Sequence, residues 1–178
     1  MWCIIVAIIL LVDQFIKYLI LNNVPLMQTK EVIPNVVNIT HLPNTGAFFG
    51  IFANNNDILA IITFVIVCGF IIYLVMQSKN ASRLLVVALS LIIGGALGNI
   101  LDRVIHGAVV DYVTLKFLNF PTFNFADMCI TSGAALLIIY VLKSAANESA
   151  MVDKSEAVLK TDDITDDLKE LDAVAGSE

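Results

Sequence analysis

Residues 58–76 read ILAIITFVIVCGFIIYLVM, an apolar run interrupted only by Thr63 and Gly69. As a helix rising 1.5 Å per residue it would be about 28 Å long, close to the thickness of a bilayer's hydrocarbon core. Such a stretch belongs in lipid. Outward from it, three more runs qualify or nearly do, at about 2–21, 84–101 and 126–142. The first has no basic residues ahead of it, and Asp13 and Lys17 interrupt what a cleavable leader would keep apolar, so it is expected to stay as a helix. The whole composition agrees. Of 178 residues 58% are apolar and 15% charged, with mean hydropathy +0.87, against about 45–50% and about 25% in ordinary soluble domains. The interior of a small globule cannot hide that much apolar side chain. The expected fold class is therefore an all-α membrane protein with four transmembrane helices, and residues 1–146 form the membrane domain.

The formal charge of −6 is unevenly spread. Residues 147–178 carry ten acids against Lys154, Lys160 and Lys169, while the remainder is close to neutral. A polar, acidic end of this kind cannot repay its ordering entropy and is expected to be disordered or weakly helical. No basic stripe exists to neutralise phosphates, which argues against a nucleic-acid partner. Cys3, Cys68 and Cys129 lie in apolar stretches without CxxC spacing, and read as buried small apolar residues rather than a disulfide framework or zinc site.

Lys79 and Arg83 fall between the second and third spans and Lys143 closes the fourth, so the positive-inside rule puts these ends, both termini and the tail in the cytoplasm. Residues 22–57 and 105–125 are then the outer loops. Val32–Ile33 and Val36–Val37–Asn38–Ile39–Thr40, bounded by Pro34 and Pro43, suggest short strands, a small extracytoplasmic β element at the membrane surface. No internal repeat is evident, which weakens a transporter built from inverted halves.

An ionisable residue within a span costs a few kcal/mol or more at the bilayer centre, so each is a functional candidate. Asp13 lies roughly 16 Å along the first span from its inner end, with Lys17 one turn further on the same face. Asn99 lies roughly 22 Å along the third span, with Asp102 and Arg103 beyond it. Asp127 opens the fourth span, and Asp111 and Asn124 occupy the loop before it. All share the outer half of the membrane or its outer surface. Separate structural ion pairs have no reason to share a depth, whereas one site does. Gly94, Gly95 and Gly98 lead up to Asn99 and suit close helix packing. Asn44–Thr45–Gly46–Ala47 reads as a turn able to present an amide to a backbone.

Peptide hydrolysis needs an activated water and a proton donor, and two carboxylates sharing one proton can supply both. Asp111 and Asp127 are the pair best placed to meet. No Ser or Cys stands in a recognisable nucleophile setting, there is no HExxH helix, and His41 and His106 read as solvated loop residues. Neither a metal nor an organic cofactor is expected.

Five blocks sharpen this. Asp13–Gln14–x–x–Lys17, Asn44–x–Gly46–x–x–Phe49–Gly50, Gly94–Gly95–x–x–Gly98–Asn99–x–x–Asp102–Arg103, Val109–Val110–Asp111–Tyr112 and Phe123–Asn124–x–Ala126–Asp127 resemble, in order, the blocks of the bacterial lipoprotein signal peptidases, or signal peptidase II family. The resemblance implies a four-span aspartic endopeptidase of the inner membrane with its active site near the outer face. Its substrates would be prolipoproteins whose lipobox Cys carries diacylglyceryl, cut on the amino side of that Cys. It makes Asp111 and Asp127 the catalytic dyad. Asn44, Asn99, Arg103 and Asn124 would hold substrate backbone or support the site, and Asp13, Lys17 and Asp102 would be structural partners. Phe48 departs from the smaller residue usual in that loop, and the acidic tail has no counterpart. Membrane lipid is the expected surroundings and a monomer the expected state.

Two other classes make different demands. A small proton-coupled transporter or channel needs a polar path through the inner half as well, against which the apolar runs Cys3–Val12 and Leu84–Leu89 argue. A scaffold working through its acidic tail would lose function on truncation after Ala146, which is expected to be tolerated.

Overall fold

The computed structural model describes residues 2–46, 56–77, 81–118 and 120–175, with side chains up to Met151 and that of Lys154. Phe48, Phe49, Gly50 and Lys79, singled out from the sequence, lie outside the described residues. The elements run α1 (Trp2–Asn23), β1 (Thr29–Ile33), β2 (Val37–Asn44), α2 (Asn56–Met76), α3 (Arg83–His106), β3 (Val109–Leu115) and α4 (Phe125–Ala175). Four helical stretches are long and apolar enough to cross a membrane: α1, α2, α3 and Phe125–Met151 of α4. The chain divides into two compact units, Met1–Leu137 and Ile138–Glu178. The second holds the remaining helical residues of α4; everything described below lies in the first.

Two stripes explain how α1 sits. Ile4, Ile8, Leu11, Phe15 and Tyr18 recur at helical spacing and are exposed, the face that lipid covers. Val6, Ile9, Asp13, Lys17 and Ile20 form the opposite stripe and are buried. This helix is thus apolar outside and, around Asp13 and Lys17, charged inside. Cys3 falls on the exposed side of α1, correcting its reading as a buried residue, while Cys129 is buried.

The central helix is α3, which packs against α1, α2 and β3. Ser82 caps its start by accepting the Leu85 N–H at 3.2 Å, and Gly107, at φ 71°, ends it by donating to Arg103 O at 3.0 Å. A left-handed residue here favours glycine. Its small residues bring the neighbours close: Gly94 abuts Ile9 of α1, Gly95 abuts the Ala126 carbonyl of α4, and Gly98 abuts the Asp13 carboxylate. Gly133 of α4 abuts the Ala88 carbonyl in return. Without a hydrophobic drive between helices in lipid, such close approach is what holds spans together.

The β element is a three-stranded antiparallel sheet in the order β1-β2-β3. A turn at Pro34–Asn35 joins β1 to β2; Asn35 has φ 58° and donates its N–H to Glu31 Oε1 at 3.0 Å. Strand β2 runs through Pro43 to Asn44 instead of stopping before the proline, because β1 pairs only as far as Thr40. Beyond His41, whose backbone bonds Met27 and Gln28 on the β1 side, β2 has β3 on one side only, so a residue without an N–H is tolerated at Pro43. His41 is a second correction. It is buried, its Nδ1 lying 2.8 Å from Val24 O, so this ring ties the sheet to the end of α1 instead of facing solvent. Ile20, Val24, Val110 and Tyr112 form the apolar cluster under the sheet. The far edge of β3 is closed by Phe123, which exchanges backbone hydrogen bonds with Val113 at 2.8 and 3.0 Å. That return delivers the chain directly into α4.

Candidate functional site

Lys17 is the hub. Only 2% exposed, its ammonium lies 2.8 Å from Asp13 Oδ2, 2.8 Å from Asp102 Oδ2 and 3.0 Å from Asn99 Oδ1. Three N–H donors meet three acceptors, the full capacity of a lysine. Removing such a charge from water is tolerable only with that pairing. Gln14, quoted in the first block but given no role there, locks the cluster by donating from Nε2 to Asp13 Oδ2 at 3.2 Å, Asp102 Oδ1 at 3.0 Å and Gly98 O at 3.3 Å.

Each carboxylate of this cluster also takes a backbone N–H from elsewhere in the chain. Asp13 Oδ1 accepts from Ala126 N at 3.1 Å, and Asp102 Oδ2 accepts from Val110 N at 3.0 Å. Ala126 immediately precedes Asp127, and Val110 immediately precedes Asp111. Two carboxylates on two helices thereby hold the chain just ahead of two further carboxylates.

Asp111, on β3, accepts from Asn124 Nδ2 at 2.7 Å and from Asn44 Nδ2 at 2.8 Å. Asn44 is itself held by an Asx turn, its Oδ1 accepting the Gly46 N–H at 2.9 Å. Burial and, after it, the negative charge of Asp127 push Asp111 up to about 7, against the opposing pull of the Asn44 and Asn124 donors. Burial likewise raises the Tyr112 hydroxyl, whose oxygen accepts the Phe125 N–H at 3.1 Å.

Asp127 stands in the first turn of α4. Its Oδ2 accepts the Asn124 N–H at 3.2 Å while its own N–H donates to Asn124 Oδ1 at 3.0 Å, a capping box. Its Oδ1 accepts from Asn99 Nδ2 at 2.8 Å. Asn124 Nδ2 reaches Asn99 Oδ1 at 3.2 Å as well as Asp111. Asn124 therefore bridges the two aspartates.

Arg103 donates from its two terminal nitrogens to Asn99 O at 3.3 Å and Gly46 O at 3.4 Å. Its Nε is buried without a partner among the described residues. Beside Asp127 opens an apolar cleft of about 330 Å³, lined by Phe120, Phe123, Met128, Thr131 and Ser132.

The residues expected to share a depth are thus linked: Asp13, Lys17, Asn44, Asn99, Asp102, Arg103, Asp111, Asn124 and Asp127 form one hydrogen-bonded network. Asn44, Asn99 and Asn124 direct amide groups at the aspartates. Sequence reading passed over Gln14 and the Tyr112 hydroxyl. For Asn124 and Asp127 a local signal existed, since Asn-x-x-Asp has capping-box spacing.

Fold and site together define a multi-pass membrane protein with paired carboxylates at one end of its bundle. A family model described as signal peptidase (SPase) II matches residues 5–143. A lipoprotein signal peptidase of Streptococcus agalactiae serotype Ia is 44% identical over 144 residues, 81% of this chain and 93% of its own length. That of Brevibacillus brevis is 41% identical over 142 residues, 79% and 95% of the two chains. A bacterial membrane enzyme solved by the in meso method at 2.3 Å resolution matches with TM-score 0.75 and 36% identity, over 82% of this chain and 90% of that one. This chain belongs to the signal peptidase II family, a family of aspartic peptidases.

Proposed function

We propose that Asp111 and Asp127 are the catalytic dyad with which this peptidase removes the signal peptide from prolipoproteins, cutting on the amino side of a diacylglyceryl-modified Cys. Removal of signal peptides from prolipoproteins is the activity of the family. The observation that carries the dyad is the Asn124 bridge, in which the side-chain amide donates to the Asp111 carboxyl at 2.7 Å and the backbone N–H donates to the Asp127 carboxyl at 3.2 Å. Two carboxyls so joined in a buried setting hold a proton between them more readily than two negative charges. The ionised carboxyl takes a proton from a water, which attacks the scissile carbonyl carbon. The protonated partner donates to the carbonyl oxygen, and as the C–N bond breaks the leaving amine receives a proton from the pair. Asn44, Asn99 and Asn124 hold the carboxyls in place, and Arg103 Nε offers a buried donor to a substrate carbonyl.

The apolar cleft beside Asp127 supports access for an acyl-anchored substrate directly from the lipid. We place the enzyme in the bacterial inner membrane with both termini and the acidic stretch 147–178 in the cytoplasm, on the strength of Arg83 and Lys143. Residues 1–146 then form the peptidase domain and work as a monomer. The inward part of the bundle buries Val6, Ile9, Leu85, Ala88, Leu89 and Ile93, and the buried Ser90 among them donates its hydroxyl to Val86 O of its own helix at 2.6 Å; a transporter would require a path of ionisable or solvated polar groups there.

Purified Asp111→Asn and Asp127→Asn proteins, shown to be folded, are tested on a diacylglyceryl-modified prolipoprotein. Both should leave the substrate intact. Near-native cleavage by either ends the dyad assignment.

A further inference from the structure

We infer that Lys17 is a positioning residue for the reacting pair, fixing the backbone ahead of both aspartates through Asp13 and Asp102 and presenting its positive charge to Asp127 through the amide of Asn99. This rests on Asp111 and Asp127 being that pair. Three connections leave the one ammonium. The first runs through Asp13 to the Ala126 N–H, one residue before Asp127. The second runs through Asp102 to the Val110 N–H, one residue before Asp111. The third runs through Asn99, whose Oδ1 accepts from Lys17 at 3.0 Å while its Nδ2 donates to Asp127 at 2.8 Å. A cation on the oxygen of an amide draws electron density away from its N–H, and hydrogen bonds in series strengthen one another in a low-dielectric interior.

A lysine that served packing alone would need its two carboxylates and nothing else. Here the third donor is spent on an amide aimed at the reacting carboxyl. The separation of the two aspartates is then set by one ion on α1 that touches neither of them. The other ionisable groups that interact with Asp127 are Arg103 on α3 and Asp111 and Tyr112 on β3, while Asp13, Asp102 and Lys17 face one another behind Asn99.

Lys17→Met by itself strands two buried carboxylates and is prone to unfold, so the test uses a second variant with no stranded charge, Lys17→Met with Asp13→Asn and Asp102→Asn. Each introduced amide oxygen can still accept the Ala126 or Val110 N–H, so the clamps survive while the cation and its two counter-charges are lost. Cleavage of a diacylglyceryl prolipoprotein is followed from pH 4 to 9. The expected result for the folded triple variant is a KM within about twofold of native and a kcat at least about tenfold lower. A folded triple variant with the native kcat overturns the inference. Asp127→Asn is run beside it: if that variant is inactive while the triple variant is native, Lys17 alone is misassigned, and if Asp127→Asn still cleaves, the dyad fails and this inference with it.

Discussion

Asn124 and Asp127 close a reciprocal pair of hydrogen bonds at the start of α4, side chain to backbone in both directions, at 3.0 and 3.2 Å. A helix cap is ordinarily a matter of stability. In this protein the capping carboxyl is also the proposed reacting group, so the orientation of Asp127 is inherited from the way α4 begins.

The first expectation concerns that cap. Asn124→Ala removes an N-cap contributing about 1 kcal/mol and frees Asp111 and Asn99 from the bridging amide. Thermal unfolding in detergent should shift down modestly, while cleavage falls far more than the stability loss explains, by about 100-fold or more. Equal and small losses in both measurements would mean the bridge has no part in the chemistry.

A second expectation concerns pH and activity. Asp111 is held up at about 7, so it is protonated over the acid and neutral range and lost as a donor as pH rises through that value. Cleavage should decline on the alkaline side with a midpoint near 7, a value that belongs to the coupled pair. A profile flat from pH 5 to 9 contradicts the assignment of Asp111 as the protonated partner.

Stability should follow the same group with a definite sign. Between about 4 and about 7 the folded chain binds a proton at Asp111 that the unfolded chain has released, so stability decreases as pH rises across that window and levels off above it. Asp111→Asn removes this dependence. The difference in Tm between variant and native should move in the variant's favour from pH 5 to pH 8; a constant difference refutes it.

Paired glycine substitutions test the packing. A Cβ at Gly98 would press on the Asp13 carboxylate and one at Gly95 on the backbone carbonyl of Ala126, whereas one at Gly69 of α2 meets nothing within 4 Å. Gly95→Ala and Gly98→Ala should each destabilise by roughly 2 kcal/mol or more, in the range of overpacked cores, and Gly69→Ala should be neutral or slightly stabilising. Comparable Tm values for all three would undo the close-packed description of α3.

Arg103→Lys keeps the charge but cannot reach Asn99 O and Gly46 O together, since an ammonium lacks the fork of a guanidinium. A reduction in kcat/KM of about tenfold is expected, with little change in Tm. Unaltered kinetics would show that the contact with Gly46 is incidental.

How much of this could be read from the chain alone depended on which physics was local. The spans at 58–76 and 84–101 were legible because bilayer thickness sets a length, and Asp13, Lys17 and Asp102 stood out because charge inside a span is costly. Their common depth was arithmetic on helical rise. What stayed hidden were pairings across the chain: nothing in helical periodicity couples Asp13 to the N–H of Ala126, 113 residues away. Pro43 looked like the end of a strand because its tolerance depends on where β1 stops, and His41 looked solvated because the Val24 carbonyl that receives it belongs to another element. Asn124-x-x-Asp127 was the opposite case, a local pattern open to inspection and read only as part of a family motif.

The placement of Asp127 in the first turn of the last helix has a consequence for biogenesis. A ribosome must finish three spans and the entire sheet before that carboxyl exists, and it comes into register only when Ala126 docks on Asp13. With the proposed dyad, a nascent or truncated chain that has not seated its final span holds only one of the two reacting carboxyls, so the cell is spared a half-assembled protease during membrane insertion.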